Sequence, residues 1–535
     1  MGRELNTFMN RPEPTDRAQL LDRLGALVQY DLAIVGGGAT GLGIALDAAA
    51  RGFSVALIES EDFAHGTSSR STKLLHGGVR YLAQGNISLV QEALHERSTV
   101  LHNAPHLSQR LSFILPCYKY WQIPFYAIGL QMYDALAGKR GLGKTQIMGS
   151  SATRRSMPNL QLRQLKGSVR YWDAQFDDAR LALALARTAA QRGALLVNYC
   201  KVNELIHENG RISGLVCEDR ETQQSFKISA KCVINAAGVW VDRLRASDDA
   251  TRNQVSQAIV APSQGVHISV DASFLPGHEA LIVPKTADGR VLFAVPWRGK
   301  VILGTTDTPR HDLSREPDPF KAELDFILDE GAKYLERAPT RADVKSIWVG
   351  LRPLVKPPSD DGDNTKKISR EHTVLISPSK LVTVTGGKWT TYRVMAQDAL
   401  NHCFDAGLLS KKQGDDTVRL LLVGAQQNQH FVDPMVVAGG AALYGDEADE
   451  LLNLPGHDNE LGGQLTEAMV RFAARYEYAR KVEDVLARRA RILFLDARLA
   501  QSMAPSVAGI LQSETGIDPG LSEFLELCEH YLRLP

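Results

Sequence analysis

The sequence has no surplus of either charge: Lys+Arg and Asp+Glu both number 61. A global field that would draw nucleic acid is missing, so no nucleic-acid partner is expected, and an anionic ligand must be met by a local basic cluster. Cysteine is scarce and scattered. Cys117, Cys200, Cys217, Cys232, Cys403 and Cys528 form no C-x-x-C pair, and several lie in apolar runs. That pattern argues against zinc sites and a disulfide scaffold and predicts buried thiols in a reducing compartment, with no metal. No apolar run reaches the roughly 18 residues that a membrane span needs. The polar opening MGRELNTFMNRPEPTDRAQL also lacks a signal-peptide core. The expectation is a cytosolic chain, with attachment to a membrane face left open. Repeats and low-complexity tracts are absent too. What remains is ordinary globular composition, 44% hydrophobic and 23% charged, over 535 residues. That length predicts two or three domains.

The stretch that organises the chain is YDLAIVGGGATGLGIALDAAARGFSVALIES, residues 30–60. It reads as strand, glycine loop, helix and strand. Gly36 permits the tight turn, Gly38 admits a pyrophosphate close to the backbone, and Gly41 lets the helix lie against the strand. The helix N-terminus offers amides and partial positive charge to phosphates. Glu59 closes the second strand about twenty residues past the loop, where a carboxylate accepts ribose hydroxyls. An acid there favours FAD or NAD over NADP, whose 2′-phosphate it repels.

Residues 61–86, EDFAHGTSSRSTKLLHGGVRYLAQGN, follow. Hydroxyls at Thr67, Ser68 and Ser69 suit a pyrophosphate or ring lining, and Lys73, His76, Arg80 and Tyr81 can work chemically. Residues 117–136 are rich in aromatics, fitting either a buried substrate-domain segment or a lipid-facing patch, with Lys139, Arg140 and Lys144 just beyond. Asp177 or Asp178 caps a helix to Gln191, and Val202 lies where the next strand leads into a polar connection. KCVINAAGVWVDRL, residues 231–244, ends a strand in small residues, Ala237 and Gly238 among them, that allow close approach to a cofactor. Residues 260–350 alternate like an antiparallel sheet and include GTTD at 304–307. Arg352 stands in an apolar setting, fitting either an internal acid or a bound phosphate. TGGKWTTYRV at 385–394 repeats the strand, glycine pair and helix pattern, with Gly386, Gly387, Lys388 and Thr390 at the helix start. Helices dominate from about residue 401, two of them amphipathic within 464–514 and joined by the basic run ARKVEDVLARRARI.

Together the motifs GGGATGLGIALDAAARG, TSSRSTKLLHGGVRYL, FDDARL, NAAGVWVD, GTTDTP, GLRPL, ISREH and TVTGGKWTTYR resemble the FAD-dependent glycerol-3-phosphate dehydrogenases. These are membrane-associated flavoproteins of the D-amino-acid-oxidase-like fold group. The likeness runs closely over about 30–400 and more loosely beyond. It implies an α/β fold with a Rossmann-like FAD-binding domain, an antiparallel-sheet substrate domain and an α-helical C-terminal domain. The implied division is 1–29 as a lead, 30–105, 190–260 and 350–402 for FAD, 106–189 and 261–349 for substrate, and 403–535 for the helices. Two features depart from the family pattern: after GTTDTP this chain reads RHDLSREPDP, where relatives more often carry an aromatic residue and a glycine-rich turn, and the N-terminal lead is longer than the fold needs.

The resemblance further implies oxidation of sn-glycerol 3-phosphate at C2 to dihydroxyacetone phosphate, with hydride passing to flavin N5 and electrons to a membrane quinone. An α-glycerophosphate oxidase, which uses oxygen and releases peroxide, is the alternative. His76, Arg80, Tyr81, Arg352 and Lys388 match the family's substrate positions. Arg80, Arg352 and Lys388 form the expected anion cluster. His76 is the first candidate base and Lys388 the second. The implied place is the cytoplasmic face of the inner membrane, in peripheral contact, and the chain's size allows a homodimer.

Overall fold

A computed structural model of the chain describes every residue except 1–11, 83–84, 288, 357–370, 413, 415, 426–434 and 437–438, together with the side chains of Arg80 and Tyr81. The Ile368–Arg370 part of the ISREH motif lies outside the described residues.

Short apolar runs without alternation, such as Leu32–Ile34, Val55–Ile58 and Leu195–Val197, form strand segments buried on both faces. In one sheet Leu381–Gly386, Ser225–Asn235, Gln29–Val35, Val55–Ile58 and Leu195–Val197 lie side by side in parallel order. Their inner residues, such as Leu32, Ile34, Leu57 and Ile234, are almost fully buried. Helix Ala39–Ala50 packs between helices Asp178–Gln191 and Tyr392–Asp405. It lies close because its residues are small: a Cβ on Gly43 would meet the Tyr392 ring at 2.9 Å. The antiparallel hairpin Cys200–Glu208 and Arg211–Asp219 extends this sheet.

A second sheet carries Ser108–Cys117, Gly167–Phe176, Val260–Asp271, Leu292–Trp297, Lys300–Gly304 and Ser346–Val355. Its pairings are antiparallel apart from Ala280–Val283 beside Ser108–Cys117. Two expected boundaries shift. The division at residue 350 falls inside Ser346–Val355, which pairs without a break with Val260–Asp271. Helix Asp178–Gln191, expected with the substrate domain, packs on the dinucleotide sheet, because nearly every residue of it is buried there.

The C-terminal helices Glu467–Tyr476, Ala497–Thr515 and Leu521–Leu532 share one core with Trp297 and Trp348 of the second sheet. The basic run between them is not a surface. Arg488, Arg489 and Arg491 are buried and pair with Asp62, Asp178 and Asp484. The aromatic stretch divides its residues: Leu130 and Tyr133 face the core, while Trp121, Phe125, Ile128 and Met132 stand exposed along one side of helix Gln122–Ala137. No described helix is long and apolar enough to cross a membrane.

Candidate active site

A cavity of about 410 Å³ opens where Val35, Ile58, Ala236 and Gly386 end or follow the parallel strands. The crevice beyond the carboxyl ends of such strands is the usual ligand position in this architecture. Gly36 takes φ +113, and a Cβ on it would sit 2.5 Å from the Ala236 carbonyl oxygen. Gly38 caps the helix without a side chain, so the amides of the first turn meet the cavity at Ala39 and Thr40. Ala39 N–H donates to Ser68 Oγ at 2.9 Å. Gly41 does not line the cavity. It lies beneath the loop, where a Cβ would come within 1.9 Å of the Gly36 carbonyl oxygen.

Glu59 also lines the cavity, and it holds the loop from below. Its carboxylate accepts Gly37 N–H at 2.6 Å and Glu61 N–H at 2.9 Å. Thr67, Ser68, Val202, Ala237 and Gly238 continue the wall, and Gly386, Gly387 and Lys388 close its far end. A Cβ on Gly238 would meet nothing within 4 Å, so the cradle is open there. Together the bare loop, the helix N-terminus and the acid on the second strand fit the pyrophosphate and ribose of FAD.

Behind that wall lie Ser69, Lys73 and Thr390, all buried and none facing the cavity. Lys73 Nζ donates to Asp178 Oδ2 at 2.7 Å and to the Ser69 carbonyl at 2.8 Å. Burial pushes its pKa down to about 7, with Arg491 adding to the shift and Asp178 opposing it. Lys73 thus braces the Thr67–Ser69 turn from beneath.

The substrate-side residues are less concentrated. His76 is half-buried at the end of Leu74–Leu75. The glycine after it is fixed by a relay in which Gly77 N–H donates to Tyr133 Oη, and Tyr133 to Asp173, the partner of Arg97. Arg80 and Tyr81 belong to the turn of helix Val79–Leu82, and their side chains lie outside the described set. Arg352 Nη2 donates to Thr305 Oγ1 and the Thr306 carbonyl, each at 3.0 Å, and Asp307 stands 3.6 Å away. An internal acid therefore does accompany this arginine. Its chain neighbours reach the cofactor region: Pro353 lines the cavity, and the Leu351 carbonyl accepts the Thr67 hydroxyl. Lys388 is close enough to Glu92 to oppose the upward shift that burial gives that acid.

One residue not anticipated from the sequence is His267. It is buried and stacks on Trp348 with ring centroids 5.4 Å apart. Its Nε2 is 2.8 Å from Thr72 Oγ1, and its Nδ1 has no hydrogen-bond partner among the described residues. Burial, then the charges of Lys73 and Arg352, hold it well below the usual histidine range. It is thus a neutral imidazole within electrostatic reach of Arg352. A polar ring inside the apolar alternation of QGVHISV was the available signal.

Glycine loop, acid, parallel sheet and a second sheet alongside define a dinucleotide-dependent oxidoreductase. Residues 31–393 match the family described as FAD dependent oxidoreductase, and residues 411–520 match the C-terminal domain of alpha-glycerophosphate oxidase. The mitochondrial glycerol-3-phosphate dehydrogenase of Bos taurus is 40% identical, with 96% of this chain and 74% of that protein covered. A glycerol-3-phosphate dehydrogenase of Bacillus halodurans complexed with FAD superposes with a TM-score of 0.76 at 28% identity, covering 97% of this chain and 98% of that one. An L-alpha-glycerophosphate oxidase of Mycoplasma pneumoniae with FAD bound shares the fold, with a TM-score of 0.56 at 16% identity over 74% of this chain and 98% of that one. The chain belongs to the FAD-dependent glycerol-3-phosphate dehydrogenase family.

Proposed function

We propose that this chain oxidises the C2 alcohol of sn-glycerol 3-phosphate to dihydroxyacetone phosphate and delivers the electrons to a membrane quinone. What carries the reading is a flavin-type cavity in a chain 40% identical to a glycerol-3-phosphate dehydrogenase along 96% of its length. FAD, held by the Gly36–Gly41 loop, the first turn of helix Ala39–Ala50 and Glu59, would supply the two-electron acceptor for the oxidation at C2. The chain's own residues bind the phosphate and remove the hydroxyl proton. Arg352 and Lys388, with Arg80 and Tyr81, hold the phosphate dianion, which calls for fixed positive charge and bidentate donors. The Thr305 and Thr306 oxygens orient the Arg352 guanidinium. His76 accepts the hydroxyl proton, the role an imidazole nitrogen suits, with Lys388 as the alternative base.

The acceptor is a lipid-soluble quinone, and the reading puts the enzyme at the cytoplasmic face of the inner membrane. The exposed stripe Trp121, Phe125, Ile128 and Met132 supports that contact, with Lys139, Arg140 and Lys144 close by in the chain. A homodimer is the competing use of the same stripe. Oxidase chemistry is the second reading, favoured by the match of residues 411–520 to an oxidase C-terminal domain.

An anaerobic visible spectrum tests the proposal. Flavin that bleaches with sn-glycerol 3-phosphate and recovers faster with a quinone analogue than with oxygen is the expected result. Recovery by oxygen with release of peroxide moves the acceptor to the second reading. Bound flavin that ignores the substrate overturns the phosphate cluster.

A further inference from the structure

Residues 310–319, RHDLSREPDP, leave the second sheet after Thr308–Pro309 and re-enter the fold at helix Lys321–Tyr334. Between those points they cross to the cavity. Arg310 anchors the near end, donating to Gln264 Oε1 and the Asp318 carbonyl at 2.7 and 2.8 Å and pairing with Asp312. Glu316 anchors the far end on the buried Arg70 and also accepts from Tyr531 Oη at 3.3 Å. Pro317 and Pro319 are buried, which stiffens the return.

The middle of the segment reaches the cavity wall. Trp240 Nε1 donates to the Leu313 carbonyl at 3.2 Å, and the Arg315 guanidinium lies 6.0 Å from the Trp240 ring centroid. Both residues line the cavity. Arg315 also pairs with Glu61 and reaches Ser60 Oγ at 3.4 Å, directly after Glu59. Arg220 pairs with the same Glu61. Arg315 and Arg220 balance Glu61 and Glu59 at this rim, and Lys201 and Arg243, which also line the wall, leave it net positive.

We propose that residues 310–319 form a strap that retains the adenosine half of the cofactor, with Arg315 as its contact residue; this rests on the FAD reading of the cavity. Glu59 marks the ribose end, so the strap closes the adenosine half and leaves the Lys388 end to the flavin and substrate. Retention follows from the geometry. A dinucleotide leaving past Trp240 must break the Arg315–Glu61 pair and lift a segment tied down at Arg310 and Glu316.

FAD release from the flavin-loaded protein, followed by the fluorescence of freed flavin after dilution, tests the strap. Arg315 is 46% exposed, so Arg315→Ala folds. It should release FAD at least about fivefold faster, the size expected for losing an aromatic-stacked cation and its ion pair. Arg315→Lys should recover part of that loss. Glu316→Gln, which loosens the far anchor outside the cavity wall, should also speed release. Parent-like release in both Arg315→Ala and Glu316→Gln overturns the proposal. The readout needs no turnover, so a chain that holds FAD but ignores sn-glycerol 3-phosphate defeats the functional reading and leaves the strap to be judged on release alone.

Discussion

Gly41→Ala tests the dinucleotide loop through sterics alone. Gly41 lies in helix Ala39–Ala50, where alanine is the better residue by about 1 kcal/mol. Helix propensity therefore predicts stabilisation. Packing predicts the reverse, because the new Cβ would stand 1.9 Å from the Gly36 carbonyl oxygen, where ordinary contact begins at 3.4 Å. Helix and loop must separate by about 1.5 Å, and overpacking of that kind costs roughly 1–3 kcal/mol. The separation draws the first-turn amides away from the pyrophosphate. Loss of one hydrogen bond to a charged group is worth about 1.5–3 kcal/mol, or roughly ten- to a hundredfold in Kd. Gly129→Ala is the control: it lies in helix Gln122–Ala137 with nothing within 4 Å of the added carbon, so it should be neutral or slightly stabilising. Calorimetric titration of apoprotein with FAD, with melting curves on both variants, reads the two effects. A Gly41→Ala protein that binds FAD with parent affinity and melts no lower than the parent refutes the close-packing account.

Two further outcomes follow from burial and charge. His106 is buried, and burial, with Arg180 and Arg187 nearby, pushes it down to about 3. The unfolded chain takes up this proton near 6.5 and the folded chain only near 3, so stability is full above 6.5 and falls with pH between those values by up to about 1.4 kcal/mol per unit. Urea unfolding across pH 4–7 should show that slope reduced in His106→Asn; an unchanged slope would assign it elsewhere. Replacing Trp121 and Phe125 by glutamate removes the most prominent part of the exposed stripe and should abolish flotation with acidic lipid vesicles while flavin content stays constant. Unchanged flotation, or loss of a dimer in place of flotation, would reassign the stripe.

Local patterns were readable from the sequence because their causes are local. The glycine spacing at 36, 38 and 41 and the strand–Gly-Gly–helix run at 385–394 are short-range motifs, and the acid at Glu59 stands at a fixed distance of one βαβ unit from the loop it holds. FDDARL was readable only in part. Either aspartate can cap the helix by the pattern, and in the structure Asp177 does so, accepting Arg180 N–H at 3.1 Å. That leaves Asp178 to serve Lys73, Ser71 and Arg491. What stayed hidden depends on distant partners. Arg488 and Arg489 read only as part of a basic run because Asp62, which neutralises them, lies more than 400 residues earlier. His267 needed the whole second sheet before its stacking on Trp348 and its nearness to Arg352 could appear.

The stretch after Glu59 shows why the C-terminal helices belong to the cofactor site. Its Ser68 hydroxyl answers to Ala39 in the dinucleotide layer, its Thr67 hydroxyl to Leu351 in the second sheet, and its Arg70 to Glu316 in the strap. Below these contacts the same stretch is held from the C-terminal side: Asp62 by Arg488 and Arg489, His65 by Glu483, and the Ser69 carbonyl by Arg491 as well as Lys73. Charges buried this deeply contribute little net stability while paired, yet removing one side of such a pair costs roughly 3–5 kcal/mol. Loss of the C-terminal arginines would leave Asp62 buried with no cation opposite it and would strip Asp178 of one of its two. A chain cut before residue 480 should therefore fail at the Thr67–Ser69 turn first, even though every cavity-lining residue would still be present.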